Sequence, residues 1–210
     1  MSEVAAVETM DFDGLTIHYD ARVLRPRAWT VAQSRWAADL LTGLPEGPVL
    51  ELCSGAGQIG LAVAARAGRD LVCVDLNPAA VDFCELNARA AGLESRVSVR
   101  EGRLTEAVRD DERFPLVIAD PPWVESSETG RYPQDPLEAI DGGLDGLAVA
   151  RDCLEVIDSH LVLGGAALLQ LGSVAQVAAL MSLGTGSLRC LGVRSYDGGA
   201  VAHLARNDQD

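Results

Sequence analysis

Short apolar runs alternate with segments of helical spacing from residue 48 onward, and this alternation constrains the fold more than any other feature of the chain. The predicted strands before the C-terminal region are residues 48–52, 70–75, 97–100, 116–119 and 166–171. Because neighbouring parallel strands need a long crossover, usually a helix, the alternation predicts a mostly parallel α/β sheet with helices on both faces. The runs at 188–195 and 200–205 flank a glycine turn and predict a C-terminal antiparallel hairpin, which gives a seven-stranded sheet.

Helix and loop signals divide the rest of the chain. Asn77 and Pro78 mark the start of a helix as its N-cap and first residue, and Gly92 marks its end. A further helix is predicted over residues 147–162, after a loop at 121–146 that is rich in Pro, Gly and acidic residues. The predicted organisation is an N-terminal extension or lid segment (1–35), one α/β domain (36–206) and a polar tail (207–210).

The composition indicates an acidic protein suited to a reducing compartment. The net charge is −14, and all 17 basic residues are arginine, so a lysine base or Schiff base is excluded. An acidic surface makes a nucleic-acid partner a weak expectation, because phosphate binding needs clustered cations. Five scattered cysteines without a CxxC pair predict reduced thiols, a cytoplasmic location and no metal site. We expect no membrane segment, because no apolar run approaches the roughly 20 residues of a span.

A glycine-rich turn follows the first strand of the predicted sheet and indicates a nucleotide-like ligand. Gly55, Gly57 and Gly60 let backbone N–H groups and a helix N-terminus approach that ligand. Asp75 ends the next strand, where a carboxylate can accept hydrogen bonds from ribose hydroxyls. These features fit both NAD and S-adenosylmethionine (SAM). SAM is favoured because Glu51 precedes the turn, where an anion suits an ammonium and a sulfonium and would repel a pyrophosphate.

The tetrapeptide Asp120-Pro121-Pro122-Trp123 follows the fourth predicted strand and indicates a pocket for a planar –NH2 group. An oxygen of Asp120 and a backbone carbonyl such as that of Pro121 can accept the two N–H hydrogens, while Trp123 offers a flat stacking face. Two consecutive prolines fix φ and stiffen this segment. The pattern predicts methylation of nitrogen, with Asp120, Pro121 and Trp123 as the catalytic residues.

Together these segments resemble the class I SAM-dependent methyltransferases, and more narrowly the HemK-type protein-(glutamine-N5) methyltransferases. Residues 23–30 resemble the family's LxPRPET segment, residues 51–60 its SAM loop, and residues 120–123 stand in place of its Asn-Pro-Pro-Tyr. The run at 139–147 is close to the family's ALDGGxDGL and is the most specific of these stretches. Gln170 and Gln176 fall in a stretch that follows LEIGxxQ, with Gln170 in place of the Glu.

The resemblance implies a Rossmann-like class I methyltransferase domain with SAM as its cofactor. The residues implied to bind SAM are Thr30, Glu51, Ser54, Gly55, Ala56, Gly57, Ile59, Asp75, Leu76, Arg103, Leu104 and Asp120. Arg103 stands where the family commonly has an acidic residue for the adenine amino group. We therefore expect backbone groups of Arg103 and Leu104 to border the adenine.

The resemblance also implies a protein glutamine side chain as the methyl acceptor, as in release-factor methylation. Asp120 in place of Asn suits a small-molecule or other amine as well, because a carboxylate stabilises a nitrogen that becomes cationic. The same pattern of Asp-Pro-Pro-aromatic is found in adenine-N6 and cytosine-N4 nucleic-acid methyltransferases, so that class stays open as an alternative. A SAM-binding protein without catalysis is a further alternative. The sequence leaves the oligomeric state open.

Overall fold

Nine strands and seven α-helices follow one another along residues 6–206, the part of the chain that the computed structural model describes. The strands are β1 (Glu8–Phe12), β2 (Leu15–Tyr19), β3 (Val49–Leu52), β4 (Leu71–Asp75), β5 (Val97–Glu101), β6 (Phe114–Ala119), β7 (Leu161–Leu171), β8 (Leu188–Tyr196) and β9 (Gly199–Arg206). The α-helices are α1 (Val31–Leu41), α2 (Gln58–Ala67), α3 (Pro78–Ala90), α4 (Leu104–Ala107), α5 (Leu137–Ile140), α6 (Ala148–His160) and α7 (Val174–Ser182). Short 3-10 turns lie at Ala28–Thr30, Glu94–Arg96 and Ser126–Arg131.

Seven of the strands form one mixed sheet in the spatial order β5-β4-β3-β6-β7-β9-β8. Strands β3 to β7 pair in parallel, whereas β9 is antiparallel to both β7 and β8. Every residue of β3 and β6 is buried, because apolar clusters cover both faces of the sheet. The predicted α/β architecture with a C-terminal antiparallel hairpin is confirmed. The strand order reverses direction at β3 and β6, which makes the carboxyl ends of these strands the expected ligand crevice.

The N-terminal segment forms a β-hairpin that the sequence pattern does not reveal. Strands β1 and β2 make a separate two-stranded sheet, which α3 holds through Asn87. The side-chain oxygen of Asn87 accepts from the backbone N–H of His18 at 2.8 Å, and its amide donates to the carbonyls of His18 and Ala56. One buried side chain therefore anchors both the hairpin and the glycine turn. Helix α1 crosses the boundary predicted at residue 36, and the lid role of residues 1–35 stays a prediction.

The junction between α6 and β7 differs from the predicted helix at 147–162 and strand at 166–171. Helix α6 ends at His160, and β7 begins at the next residue. Gly164 has a φ of +73°, and the pairing with β6 shifts register between Phe114 and Leu116. A Cβ atom on Gly165 would lie 2.9 Å from the carbonyl oxygen of Pro115. This irregular stretch interrupts the apolar alternation, so the first half of β7 could not be predicted from the sequence pattern.

The ends of α3 agree with the sequence signals. The side chain of Asn77 accepts a hydrogen bond from the backbone N–H of Ala79 at 2.9 Å, and Gly92 follows the helix with a φ of +69°. Residues 6–206 contain no helix with the length and apolar character needed to cross a bilayer. The predicted tail at 207–210 lies outside the described residues.

Candidate functional site

The carboxyl ends of β3, β4 and β6 bring the predicted donor and acceptor residues to one edge of the sheet. Register pairs Leu52 of β3 with Val74 of β4 and with Ala119 of β6. The glycine turn, Asp75 and Asp120 therefore come from neighbouring strands, since parallel strands end on the same side. The topology explains why residues so far apart in sequence share one site.

The glycine turn adopts backbone conformations that favour glycine. Gly55 has a φ of +52° and Gly57 a φ of +81°, and between them the chain turns into α2. A Cβ atom on Gly57 would lie 2.5 Å from Sγ of Cys84, whereas one on Gly55 would meet nothing within 4 Å. Gly57 is therefore required by both conformation and space, and Gly55 by conformation alone. Cys53 also has a positive φ, of 56°, which is uncommon outside glycine.

Asp75 joins the glycine turn to the end of β4. Its Oδ2 accepts the backbone N–H of Gly55 at 2.7 Å, and its Oδ1 accepts that of Asn77 at 2.9 Å. A carboxylate has about four lone-pair positions, so two remain for ligand hydroxyls. This arrangement is compatible with the predicted ribose contact, which stays a prediction.

Glu51, which the sequence predicts as an anion that suits the ammonium and sulfonium of SAM, points into the protein. Its side chain is buried, Oε1 accepts the backbone N–H of Gly60 at 2.9 Å, and Oε2 accepts from the Cys73 thiol at 3.4 Å. Both oxygens are thus engaged inside the protein. A direct contact between Glu51 and the ammonium of SAM stays a prediction, and the structure assigns the side chain a contact with α2.

Three carboxyl groups lie at the carboxyl ends of β3, β4 and β6 without a cationic partner among residues 6–206, namely those of Glu51, Asp75 and Asp120. Burial is the main cause that raises the pKa of Glu51 to about 8, and the negative charges of Asp120 and Asp75 act in the same direction. Burial also raises the pKa of Asp75 and brings the pKa of Asp120 to about 7. None of the ion pairs among residues 6–206 involves these three acids.

This arrangement fits SAM. A positively charged ligand stabilises buried carboxylates that lack a partner. The buried Ser54 hydroxyl, which has no hydrogen-bond partner among the described residues, offers a further polar contact. The chemistry of the residues present therefore suits a ligand with a sulfonium, an ammonium and a ribose.

The other predicted SAM-binding residues lie in varied surroundings. The Thr30 hydroxyl donates to the carbonyl of Arg27 at 2.8 Å within its own 3-10 turn. Leu76 is exposed at the end of β4, and Leu104 is buried at the start of α4. Arg103 is the exposed N-cap of α4 and lies 3.9 Å from Glu106. Ala56 and Ile59 are buried beneath the glycine turn. Their contacts with SAM stay predictions.

Glutamine side chains from β7, α7 and α1 hold the tetrapeptide at residues 120–123 and the residue before it. Gln170 Nε2 on β7 donates to Oδ1 of Asp120 at 2.5 Å, and Gln176 Nε2 on α7 donates to the Trp123 carbonyl at 2.8 Å. Gln33 Nε2 on α1 donates to the Ala119 carbonyl at 3.3 Å, just before the tetrapeptide. The sequence motifs contained Gln170 and Gln176 but gave them no role, and no pattern marked Gln33.

The glycines of the ALDGGxDGL-like stretch support Trp123. Gly146 has a φ of +70°, and a Cβ atom on it would lie 2.5 Å from the Trp123 carbonyl oxygen. A Cβ atom on Gly172, which follows β7, would collide with the indole ring. The backbone N–H of Gly142 donates to the carbonyl of Val124 at 2.8 Å. The stretch at 139–147, the most specific sequence motif, therefore packs against the end of the tetrapeptide at residues 120–123.

A cavity of about 640 Å³ opens in front of Asp120 and Trp123. The segment before α1 forms one wall through Leu24, Arg27 and Trp29, and Tyr132 of the long loop forms another. Arg27 binds Asp135 at 2.5 Å, which ties these two walls together. Trp29 lies in the stretch at 23–30 that resembles LxPRPET, but the sequence gave this side chain no role, and it gave no signal for Tyr132.

Comparisons with known proteins agree with this geometry. A family model described as Methyltransferase small domain matches residues 34–134. The release factor glutamine methyltransferase of Clostridium acetobutylicum is 30% identical over 79% of the chain and 61% of that protein. The ribosomal protein uL3 glutamine methyltransferase of Bradyrhizobium diazoefficiens is 31% identical over 76% of the chain and 54% of that protein. The chain thus spans little more than half the length of these curated relatives.

Solved structures share the fold at lower identity. The ribosomal protein L11 methylase of Lactobacillus delbrueckii subsp. bulgaricus superimposes with a TM-score of 0.65 at 14% identity, covering 90% of this chain and 84% of that one. The human methyltransferase 10 domain containing protein gives a TM-score of 0.63 at 14% identity, covering 92% and 89%. With the glycine turn, the acidic strand end and the tetrapeptide at one sheet edge, the chain has the class I methyltransferase fold and is similar in sequence to methyltransferases over most of its length.

Proposed function

We propose that this chain transfers a methyl group from SAM to a planar amide or amino nitrogen, and that a protein glutamine side chain is its acceptor. The observation that carries the proposal is Asp120, whose carboxyl group binds Gln170 through one oxygen and borders the cavity beside Trp123. The relatives named for release factors and for ribosomal protein uL3 support a protein acceptor.

The donor side of the site holds a positively charged ligand. SAM, when bound, supplies a methyl group on a sulfonium that is already activated for displacement. Gly55 leaves open space for the ligand near the start of α2, and Asp75 has lone pairs free for ribose hydroxyls. The negative potential of Asp75 and Asp120 favours positive charge at this edge of the sheet.

The acceptor side orients a nitrogen atom. The free oxygen of Asp120 accepts one N–H of the acceptor, and the backbone carbonyl of Pro121 accepts the other. Trp123, whose carbonyl lies close to Gly146 and whose ring lies close to Gly172, limits the acceptor to a flat group. This positioning supplies most of the rate enhancement, because an aligned nitrogen needs little further activation.

Asp120 also receives the proton that the nitrogen loses. The nitrogen becomes cationic as the N–C bond forms and the C–S bond breaks, with the electron pair of that bond staying on sulfur. A carboxyl group whose pKa burial raises to about 7 is partly ionised near neutral pH, and its ionised form can take up this proton. An asparagine at this position would accept the N–H but not the proton.

One feature of the cavity favours a second acceptor class, a small-molecule or other amine. Trp29, Trp123 and Tyr132 line the same cavity as Asp120. Aromatic faces beside a carboxylate suit a primary amine that enters as a cation and loses a proton before transfer. The net charge of −14 continues to disfavour nucleic acid as the acceptor.

The test is to locate the methylated atom. Purified protein is incubated with isotope-labelled SAM and, separately, with a release factor, with ribosomal protein uL3 and with a mixture of small primary amines. Mass spectrometry then identifies the modified atom. We expect label on a glutamine side-chain nitrogen or, for the second class, on an amine nitrogen. Label on carbon or oxygen would contradict the proposal, and SAM binding without transfer to any acceptor would favour a non-catalytic SAM-binding protein.

A further inference from the structure

Gln170 is a buried polar residue in an apolar strand. It is 2% exposed, and its strand neighbours Leu169 and Leu171 are fully buried. Register pairs Leu169 with Ala119, so Gln170 lies beside Asp120 on the adjacent parallel strand. Its Nε2 donates to Oδ1 of Asp120 at 2.5 Å, while its own Oε1 has no partner among the described residues.

Such a residue is costly unless its hydrogen bond has a purpose. A buried amide with an unmatched oxygen costs about 1–3 kcal/mol relative to a satisfied one, and a leucine would fill the same space without that cost. The contact with Asp120 is the one side-chain hydrogen bond of Gln170 in residues 6–206. The side chain is therefore explained by what it does to Asp120.

We propose that Gln170 is a positioning residue, which fixes Oδ1 of Asp120 so that Oδ2 faces the acceptor nitrogen and the methyl donor. This inference rests on the proposed function. Oδ2 accepts no hydrogen bond from residues 6–206, which leaves it free for the reaction. A hydrogen bond to an ionised carboxylate also favours the charged form of Asp120 over its protonated form.

The pair carries one carboxylate and one amide, and their order matters. The motifs that these stretches resemble have Asn at the place of Asp120 and Glu at the place of Gln170. In this chain the two chemical groups are exchanged between β6 and β7, so the pair keeps one negative charge but carries it on the residue next to the acceptor. Exchanging the two side chains again moves that charge to β7 without changing the total.

Other charged and titratable groups face Asp120 and set the background for any pH measurement. Glu51 and the Cys53 thiol interact with its charge from β3 and the glycine turn. The cavity adds groups from the walls, namely Arg27, Arg131, Tyr132, Asp135 and Asp197. These groups are common to the wild type and the variants, so differences between them report on the pair.

The test uses two ligands that need no acceptor. S-adenosylhomocysteine lacks the transferred methyl group, and sinefungin carries a protonated amine in its place. Calorimetry gives the ratio of their affinities, which measures the negative charge presented by Asp120. We expect Gln170→Leu and Asp120→Asn each to lower the preference for sinefungin about tenfold, the worth of one hydrogen bond to a charged group. The pH midpoint of this preference should rise in Gln170→Leu and Gln170→Glu.

The reciprocal variant Asp120→Asn/Gln170→Glu restores a carboxylate to the pair. The preference of this double variant for sinefungin should be several-fold greater than that of Asp120→Asn alone. A merely structural role of Gln170 does not predict this gain. Gln134→Glu adds the same charge at the exposed rim of the cavity and should change the ratio less than about twofold, because solvent screens it. Retained S-adenosylhomocysteine binding shows that each variant is folded, and Gln170→Glu replaces Gln170→Leu if the latter does not fold.

The outcomes separate two failures. If neither ligand binds the wild type, the proposed function fails and this inference fails with it. If both ligands bind but the ratio and its pH midpoint are the same in wild type, Gln170→Leu and Gln170→Glu, the positioning role of Gln170 is wrong while the proposed function stands.

Discussion

Replacing Glu51 by glutamine should change how the stability of the protein depends on pH. The carboxyl group of Glu51 is 2% exposed, and burial raises its pKa from 4.5 to about 8. The folded protein therefore binds more protons than the unfolded chain between these values. The free energy of unfolding falls as pH rises through this window, because ionisation stabilises the unfolded chain first. From about pH 5 to pH 7.5 the expected loss from this one group is about 3 kcal/mol.

The Glu51→Gln variant removes this loss. The amide oxygen can still accept the N–H of Gly60, so the fold keeps that hydrogen bond. Urea unfolding followed by tryptophan fluorescence at several pH values should show the variant gaining on the wild type by about 3 kcal/mol from about pH 5 to pH 7.5. The exposed Glu94→Gln serves as the control. Parallel profiles for wild type and Glu51→Gln would refute the reasoning, since they would mean that Glu51 is ionised in the folded protein.

Three further predictions follow from the same geometry. Gly57→Ala should lower the free energy of unfolding by about 2–3 kcal/mol and abolish SAM binding. Gly55→Ala, with open space around it, should lower the free energy of unfolding by only about 1 kcal/mol. Equal losses in urea unfolding would contradict the close contact between Gly57 and Cys84. Arg100 lowers the pKa of Glu112 to about 2, so their pair stabilises the fold above about pH 4.5 and loses this effect as pH falls towards 2. Arg100→Met should therefore be less stable by about 1–2 kcal/mol at neutral pH, with the difference vanishing in acid, while Arg89→Met at an exposed pair should change stability by less than about 0.5 kcal/mol. Gly146→Ala should spare S-adenosylhomocysteine binding but abolish methyl transfer, because its Cβ would displace the Trp123 carbonyl. Gly130→Ala in the same loop is the control. Methyl transfer by Gly146→Ala would contradict the proposed role of Gly146 in positioning Trp123.

The sequence predicted the features that depend on local pattern. Alternating apolar runs predicted the sheet, and the Asn77 cap and Gly92 predicted the ends of α3, because period and capping chemistry act over a few residues. The juxtaposition of Gly55, Asp75 and Asp120 also followed, since parallel strands end at one edge. These features need no knowledge of how distant side chains pack.

Other features depend on tertiary contacts that no local pattern carries. The sequence predicted an anion at Glu51 beside the donor, but the direction of its side chain is set by the N–H of Gly60 and the thiol of Cys73. The roles of Gln33 and Gln170 come from contacts across 86 and 50 positions in the chain. The hairpin β1–β2 stays hidden because Asn87, a residue of a distant helix, holds its second strand in place.

We propose that Asp120 orients the acceptor nitrogen at a site where SAM binds independently of this side chain. SAM binding by calorimetry and methyl transfer to the identified acceptor are to be compared for wild type, Asp120→Ala and the exposed control Asp110→Ala. We expect Asp120→Ala to bind SAM but to transfer methyl groups at least about 100-fold more slowly, while Asp110→Ala matches the wild type. Turnover by Asp120→Ala close to that of the wild type would contradict it.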